Sequence, residues 1–349
     1  MITVKEESKT LALGTIQVFT LTNAQGAEVR LSSYGAGVLA ITVPDKDGKM
    51  ADVVLGYKDL NDYDHDGPCA GKTPGRYANR IGLGKFTLDG VDYQLEINNG
   101  PNHLHGGTDN FSCKIWQGKK IDGGVEFSRV SPAGEQDYPG TLTAKVTYTW
   151  SEDNVLSITY DADTDAPTVV NLTNHTYFNL SGDGSGNVLD TKLHLHADHY
   201  LPTNDSLVPT GEIAPVAGTP MDFTTTKALN HNFDLTFPAL KYGKGYDASW
   251  VINGWAKGKV SPVAEVINEQ SGRVLEISST QPAVQVYTGN WLTGSPIGKT
   301  GKEYHDYDAV ALECQGMPDA PNKANFPSQV LRPEGHYHEV ICYAFKVAK

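Results

Sequence analysis

Positive charge is scarce in this 349-residue chain: 28 Lys and Arg face 41 Asp and Glu, a formal net charge of −13. No basic stripe or Lys/Arg cluster interrupts that balance, which argues against nucleic acid or an anionic membrane surface as a partner. A phosphorylated substrate is disfavoured for the same reason, except where one arginine acts locally. Cysteine is sparse too. Cys69, Cys113, Cys314 and Cys342 lie far apart and form no CxxC pair, so they define neither a disulfide framework nor a metal-binding spacing. No apolar run approaches the ~20 residues that a membrane-spanning helix requires. The start, MITVKEESKTLALG, has no basic segment followed by an apolar one. The expectation is a soluble cytoplasmic protein, a leader removed ahead of it being the alternative. Oligomeric state leaves no trace in the sequence.

Sustained helical periodicity is also missing; Lys58–Tyr63 offers a turn or two at most. What the chain has instead is turn chemistry, with 36 glycines and 19 prolines and no low-complexity tract. Short alternating runs fill the intervals. Residues 11–43 alternate and close on the turn at Asp45, and Lys85 to Ile97 reads as a hairpin around Asp89-Gly90. In Thr141 to Trp150, Leu142, Ala144, Val146, Tyr148 and Trp150 share one face before Ser151–Asn154 turns the chain into Val155–Tyr160. Short strands with turns between them predict an all-β sandwich or barrel with few short helices. With no linker or internal repeat, residues 1–349 read as one domain.

Three strand-like segments carry an unusual polar face. In Ala309–Gln315, alternation sets Val310, Leu312 and Cys314 against Ala311, Glu313 and Gln315. A single carboxylate in an otherwise apolar strand is either at a sheet edge in water or kept for chemistry. In Val169–Leu180, Val170, Leu172 and Phe178 share a side opposite Asn171, Thr173, His175 and Tyr177. In Gln281–Asn290, Val284 and Val286 oppose Ala283, Gln285 and Tyr287. A merely solvated face would carry Lys, Glu and Thr, whereas amides, imidazoles and aromatic rings hydrogen-bond and stack on sugars. Two glycine-bounded loops add to this set, one with Arg76, Asn79 and Arg80, the other with His103 and His105.

Two clusters imitate metal sites. Asp62, Asp64, Asp66 and Gly67 resemble the start of a calcium loop, but Thr73 stands where the twelfth-position Glu belongs, and Pro68 and Pro74 break the flanking helices. His194, His196 and His199 have a ligand-like spacing, yet no acidic or Cys partner is placed in sequence to complete a site. They are expected to lie on a solvent-exposed strand, and no metal is expected.

Long segments of the chain resemble the aldose 1-epimerase (galactose mutarotase) family: GRYANRIGLGKFTLDG, PNHLHGG, NLTNHTYFNL, ADHYLPTNDSLVPTGEI, QPAVQVYTGNWL, and ALECQGMPDAPN followed by FPSQVLRPEGHYH. The resemblance runs in order from about residue 11 to 346 and implies a large antiparallel β-sandwich with an open sugar-binding cleft. It makes Glu313 the catalytic base and His175 the catalytic acid. It places Asn79, Arg80, His105 rather than His103, and Gln285 on the sugar, with Tyr177 on the same face as His175. Asp247 is the best match to a further substrate-binding Asp, although Ala248 stands where the family often has His. The tail GHYHEVICYAF departs from the family's run of threonines.

The reaction so implied is interconversion of the α and β anomers of a free aldohexose such as D-galactose or D-glucose. It needs a base at the anomeric hydroxyl and an acid at the ring oxygen, and neither cofactor nor metal. In one cleft the two charges are expected to favour each other, lowering the Glu pKa and raising that of His. A glycoside hydrolase, which uses two carboxylates, and a non-catalytic sugar-binding sandwich are the alternatives. A hexose-phosphate mutarotase ranks third, since only Arg76 and Arg80 are available to hold a phosphate.

Overall fold

The computed structural model describes residues 1–348. Alternating apolar residues become strands wherever one face can be buried. The strand Leu142–Trp150 hides Leu142, Ala144, Val146, Tyr148 and Trp150 while the residues between them face outward. The turn at Ser151–Asn154 leads straight into Val155–Thr164, and the Asp89-Gly90 hairpin pairs Lys85–Leu88 with Val91–Gln94. Among the described residues the one α-helix is the short Pro238–Gly243, and Leu60–Tyr63 forms a 3-10 turn where a brief helix was expected.

Three antiparallel sheets carry the fold. Five strands from Thr3–Leu11 to Met50–Asp52 follow chain order. A nine-stranded sheet begins with Gln117–Ile121, Gly124–Ser131, Leu142–Trp150 and Val155–Thr164. The C-terminal strand Tyr337–Val347 then inserts beside Val155–Thr164, with Arg273–Ser279 and Ser261–Ile267 beyond it. A six-stranded sheet runs Tyr177–Phe178, Val310–Gln315, Ala283–Tyr287, Asp247–Val251, His199–Leu201 and Ala214–Pro215. The inner faces meet in one apolar cluster that extends from Phe19 to Phe345. Phe178 packs edge-on against Tyr343 at 5.1 Å, and Phe19 meets Phe127 at 5.7 Å, so the smaller sheets both lie on the large one. The result is an antiparallel β-sandwich.

Val169–Leu180 departs from expectation. Only Thr168–Val169 and Tyr177–Phe178 are strands, and the residues between them run irregularly. Asn171, Thr173 and Asn174 are fully buried, and their side chains bond main-chain groups of Ala78 and Gly316, Cys314, and Gly71. Side-chain amides and hydroxyls have taken over the role of a ladder. Those residues tie the two sheets' connections together and do not face a ligand. Two of the three aspartates of the calcium-like loop are likewise engaged in the fold: Asp64 accepts from the Tyr34 hydroxyl, and Asp66 from Tyr57 while pairing with Lys72.

Candidate active site

The outward face of the six-stranded sheet forms one wall of an open cleft of about 750 Å³. Its strand Val310–Gln315 is no edge strand: it lies between Tyr177–Phe178 and Ala283–Tyr287, and Glu313 is 2% exposed. Val310, Leu312 and Cys314 point into the core, which forces Glu313 onto the cleft face. Register then sets its neighbours. Glu313 stands opposite Gln285, which stands opposite Ser249; one rung along, Ala311 joins Tyr177 to Tyr287 and Tyr287 joins Asp247.

Loops supply the other wall. Asn79 and His105, both with positive φ, hold each other: the His105 amide donates to the Asn79 carbonyl, and the Asn79 amide donates to His105 Nδ1, both at 3.1 Å. Because Nδ1 accepts, the ring proton sits on Nε2 and His105 is a hydrogen-bond donor. The turn after it needs glycine. A Cβ on Gly106, at φ +91°, would lie 2.0 Å from the Gly75 carbonyl oxygen. Arg80 follows Asn79, donates from Nε to Asn99 Oδ1 at 3.2 Å, and places Nη2 3.7 Å from Asp247 Oδ2.

His175 is set from behind. Its amide donates to the Lys72 carbonyl and its carbonyl accepts from the Gly71 amide, each at 2.9 Å. Lys72 itself is buried, paired with Asp66 and donating to the Tyr63 carbonyl at 2.7 Å. The His175 ring lies 4.8 Å from that of Tyr177 and 5.3 Å from that of His105. Its Nε2 is 3.5 Å from Glu313 Oε1, while His175 Nδ1 and Glu313 Oε2 are buried without a hydrogen-bond partner. Unpartnered polar atoms at this depth are costly and rare, and a pair of them in one cleft marks a site completed by a ligand.

Burial decides the charge state. Desolvation pushes Glu313 well above its usual range, Asp247 adds to that, and Arg80 opposes it. Desolvation also takes His175 down to about 4, helped by Lys72. The expectation that mutual attraction would lower Glu and raise His is therefore reversed. At a 3.5 Å separation the attraction does not repay the removal of both charges from water. Both shifts favour the uncharged forms, a neutral imidazole and a protonated carboxyl, which together carry one proton, the same number as the ion pair. Burial likewise keeps His105 neutral, with His175 and Arg80 reinforcing it.

Seven of the eight expected site residues line this cleft: Asn79, Arg80, His105, His175, Tyr177, Asp247 and Glu313. Gln285, opposite Glu313 in the same sheet, is engaged with its neighbours instead, its amide donating to Asp247 Oδ1 at 2.6 Å and its carbonyl accepting from the Ser249 hydroxyl. Tyr177 reaches past the cleft floor to donate to the Pro68 carbonyl at 2.9 Å. His103 is buried between the Glu96 carbonyl and the Tyr138 hydroxyl. Arg76 is absorbed by the carbonyls of Ser131, Pro132, Pro139 and Gly140 and is remote from the cleft. Tyr287, Asn99 and the exposed Trp291 also line the cleft; the sequence put Tyr287 on the polar face with Gln285 but gave none of the three a role. Tyr287 was legible in principle, being two residues past Gln285 on the same face. Asn99 was not, since only folding brings it to Arg80.

Donor atoms of His105, His175 and Glu313 lie within 4.8 Å of one another, a spacing a divalent metal accepts. Two features oppose a cation there. His105 turns Nδ1 to the Asn79 amide, and the Arg80 guanidinium already faces the neighbouring carboxylate.

An antiparallel sandwich whose cleft sets a carboxyl against an imidazole, ringed by amide, guanidinium and aromatic groups, defines a carbohydrate acid–base site. Comparison with known proteins makes the class specific. The aldose 1-epimerase family model matches residues 17–344. Galactose mutarotase of Sus scrofa is 42% identical over 335 residues, 96% of this chain and 95% of that protein. Aldose 1-epimerase of Escherichia coli K12 is 37% identical over 332 residues, 94% and 95% of the two chains. The crystal structure of galactose 1-epimerase from Lactobacillus acidophilus superposes with a TM-score of 0.87 at 26% identity, covering both chains fully. The chain belongs to the aldose 1-epimerase family.

Proposed function

We propose that this protein interconverts the α and β anomers of a free aldohexose, D-galactose or D-glucose, with Glu313 as base and His175 as acid. The observation that carries this reading is the buried His175–Glu313 pair, which lines the cleft and in which one polar atom of each side chain has no hydrogen-bond partner. When the cyclic sugar binds, its hydroxyls and Arg80 solvate the carboxylate, and the shared proton sits on His175. Glu313 then takes the proton from the anomeric hydroxyl while His175 gives its proton to the ring oxygen, and the C1–O5 bond breaks to leave the aldehyde. The pair is now carboxyl and neutral imidazole, the form that burial favours. Rotation about C1–C2 presents the other carbonyl face. Closure runs the transfers backwards and resets the pair. Positioned acid and base groups of this kind typically contribute ~10²–10⁴-fold each.

The remaining residues orient the sugar. His105 donates from Nε2, Asn79 and Arg80 offer amide and guanidinium donors, and Asp247 accepts. Gln285 acts through Asp247 by fixing its carboxylate. Tyr177 and Tyr287 give flat faces to the ring. Asp247 is tied to Arg80 and Gln285, which leaves it unsuited to act as the second catalytic carboxylate of a glycoside hydrolase. A phosphate would find Arg80 alone, since Arg76 is buried elsewhere. Polarimetry on freshly dissolved α-D-galactose and α-D-glucose tests the proposal: rotation should decay faster than in buffer, and an unchanged decay would leave only a sugar-binding sandwich. Release of reducing sugar from aryl glycosides would point to the hydrolase. Treatment with EDTA should leave the rate unchanged, and loss of activity restored by a divalent cation would assign His105, His175 and Glu313 to a metal instead.

A further inference from the structure

The outward face of the nine-stranded sheet carries a second, unrelated cluster. Residues Asp161 and Asp163 alternate with buried Ala162 on the strand Val155–Thr164, and His336 and His338 alternate with buried Tyr337 where the C-terminal strand begins. Register sets Asp161 directly opposite His338 and Ala162 opposite Tyr337, so an Asp-x-Asp pair faces a His-x-His pair on the solvent side. Two imidazole nitrogens converge on one oxygen: His336 Nε2 is 3.0 Å and His338 Nδ1 2.8 Å from Asp161 Oδ1. The other nitrogen of His336, Nδ1, is 2.8 Å from Asp163 Oδ1.

We propose that Asp161, His336 and His338 ligate a divalent transition cation of the Zn²⁺ class, with Asp163 as the outer carboxylate that orients His336. The geometry has the parts such a site requires. A ring with both nitrogens facing carboxylate oxygens is satisfied either as imidazolium or as a neutral ring whose Nδ1–H bonds Asp163 while Nε2 turns its lone pair to a cation beside Asp161. A carboxylate–histidine–metal relay of this form fixes the tautomer and orientation of a metal-binding histidine. The three donor atoms lie within 4.8 Å of one another, and an ion at ~2.0–2.2 Å from each would move the two nitrogens from 3.0 and 2.8 Å to ~3.3 Å from Asp161 Oδ1, a side-chain adjustment only. Two imidazoles and one carboxylate select Zn²⁺, Ni²⁺ or Cu²⁺ over the oxygen-seeking Mg²⁺ and Ca²⁺. Lys145, opposite Asp161 on its other side, is turned toward Glu126 at 3.6 Å. Water completes the coordination, since the histidines are half exposed.

A competing cluster exists. His194, His196 and Glu265 come together because His194 faces Glu265 across adjacent strands, supplying the acidic partner that the sequence left out. Its contacts are longer, 3.8 and 4.0 Å, and neither imidazole there has an outer carboxylate. His199 is elsewhere, paired with Asp198.

The site faces away from the sugar cleft. Tyr337, between the two histidines, points inward, where its hydroxyl accepts from the Leu172 amide at 3.0 Å. Occupancy would therefore clip the C-terminal strand to its neighbour without touching the chemistry. Titration of chelator-stripped full-length protein with ZnCl₂ by calorimetry should show saturable uptake of one equivalent. The His336→Ala/His338→Ala double variant should lose it with mutarotation and circular dichroism unchanged, and Asp163→Asn should bind about 10–100-fold more weakly. The proposal is overturned by absence of saturable uptake, by retention in that double variant, or by loss in His194→Ala/His196→Ala instead. Asp163→Asn binding as tightly as wild type would remove the outer carboxylate from it.

Discussion

Glu313 shows how a single residue's role depends on what surrounds it. Sequence alternation sets it opposite a core face, and the sheet then covers it so that its carboxyl is buried beside His175. Glu313→Gln should reduce kcat by at least ~10²-fold while sugar binding, followed by tryptophan fluorescence at Trp291, persists. Loss of binding together with turnover would make Glu313 a binding group. The neutral pair has a second consequence, for stability. His175 titrates near 4 when folded and near 6.5 when unfolded, so alone it makes stability rise with pH between those values. Glu313, raised when folded, ionises first in the unfolded chain and makes stability fall as pH rises above 4.5. Between 4.5 and 6.5 the two slopes oppose each other. In Glu313→Gln the histidine is unbalanced. Relative to wild type, that variant should gain up to ~1.4 kcal/mol per pH unit across this window in urea titrations. Parallel profiles would mean that burial does not hold His175 neutral in the variant.

Elements hold these residues in three different ways. The sheet fixes Glu313, Asp247 and Gln285 by register, the most rigid device available. The 79–80 and 105–107 loops fix Asn79, Arg80 and His105 by reciprocal main-chain bonds around a turn that tolerates only glycine. Gly106→Ala should push the loop off Gly75 and displace His105, raising KM more than it lowers kcat and destabilising the fold by ~1–3 kcal/mol. An unaffected KM would remove His105 from sugar binding. The irregular 170–176 segment fixes His175 through the Gly71 and Lys72 main chain, with the Lys72–Asp66 pair beneath. The first device is readable in sequence as a period of two. The second is visible as a glycine-rich motif whose reason is not. The third is misread as a strand, because Asn171, Thr173 and Asn174 replace the ladder by side-chain bonds to distant carbonyls.

At the scale of the molecule, the inner faces of all three sheets join in one apolar cluster from Phe19 to Phe345, with the last strand seated mid-sheet beside Val155–Thr164. We propose that the chain is one cooperative unit. Thermal unfolding followed by near- and far-ultraviolet circular dichroism should give a single coincident transition, and two resolved transitions would divide the chain. By itself the sequence determined the all-β class, the Leu142–Trp150 faces, the Asp89 hairpin, and the orientation of Glu313 toward a polar face. Each of these is a local matter of alternation or turn chemistry, and the family motifs extended the same reading to His175. The tertiary structure alone decided that Arg76 is structural and that Gln285 is bonded to Asp247. It also decided that burial shifts His175 and Glu313 toward their uncharged forms, and that Asp161 meets His336 and His338. These are matters of burial and of contact between distant segments, because the cost of desolvating a charge depends on everything packed around it and no stretch of sequence contains that.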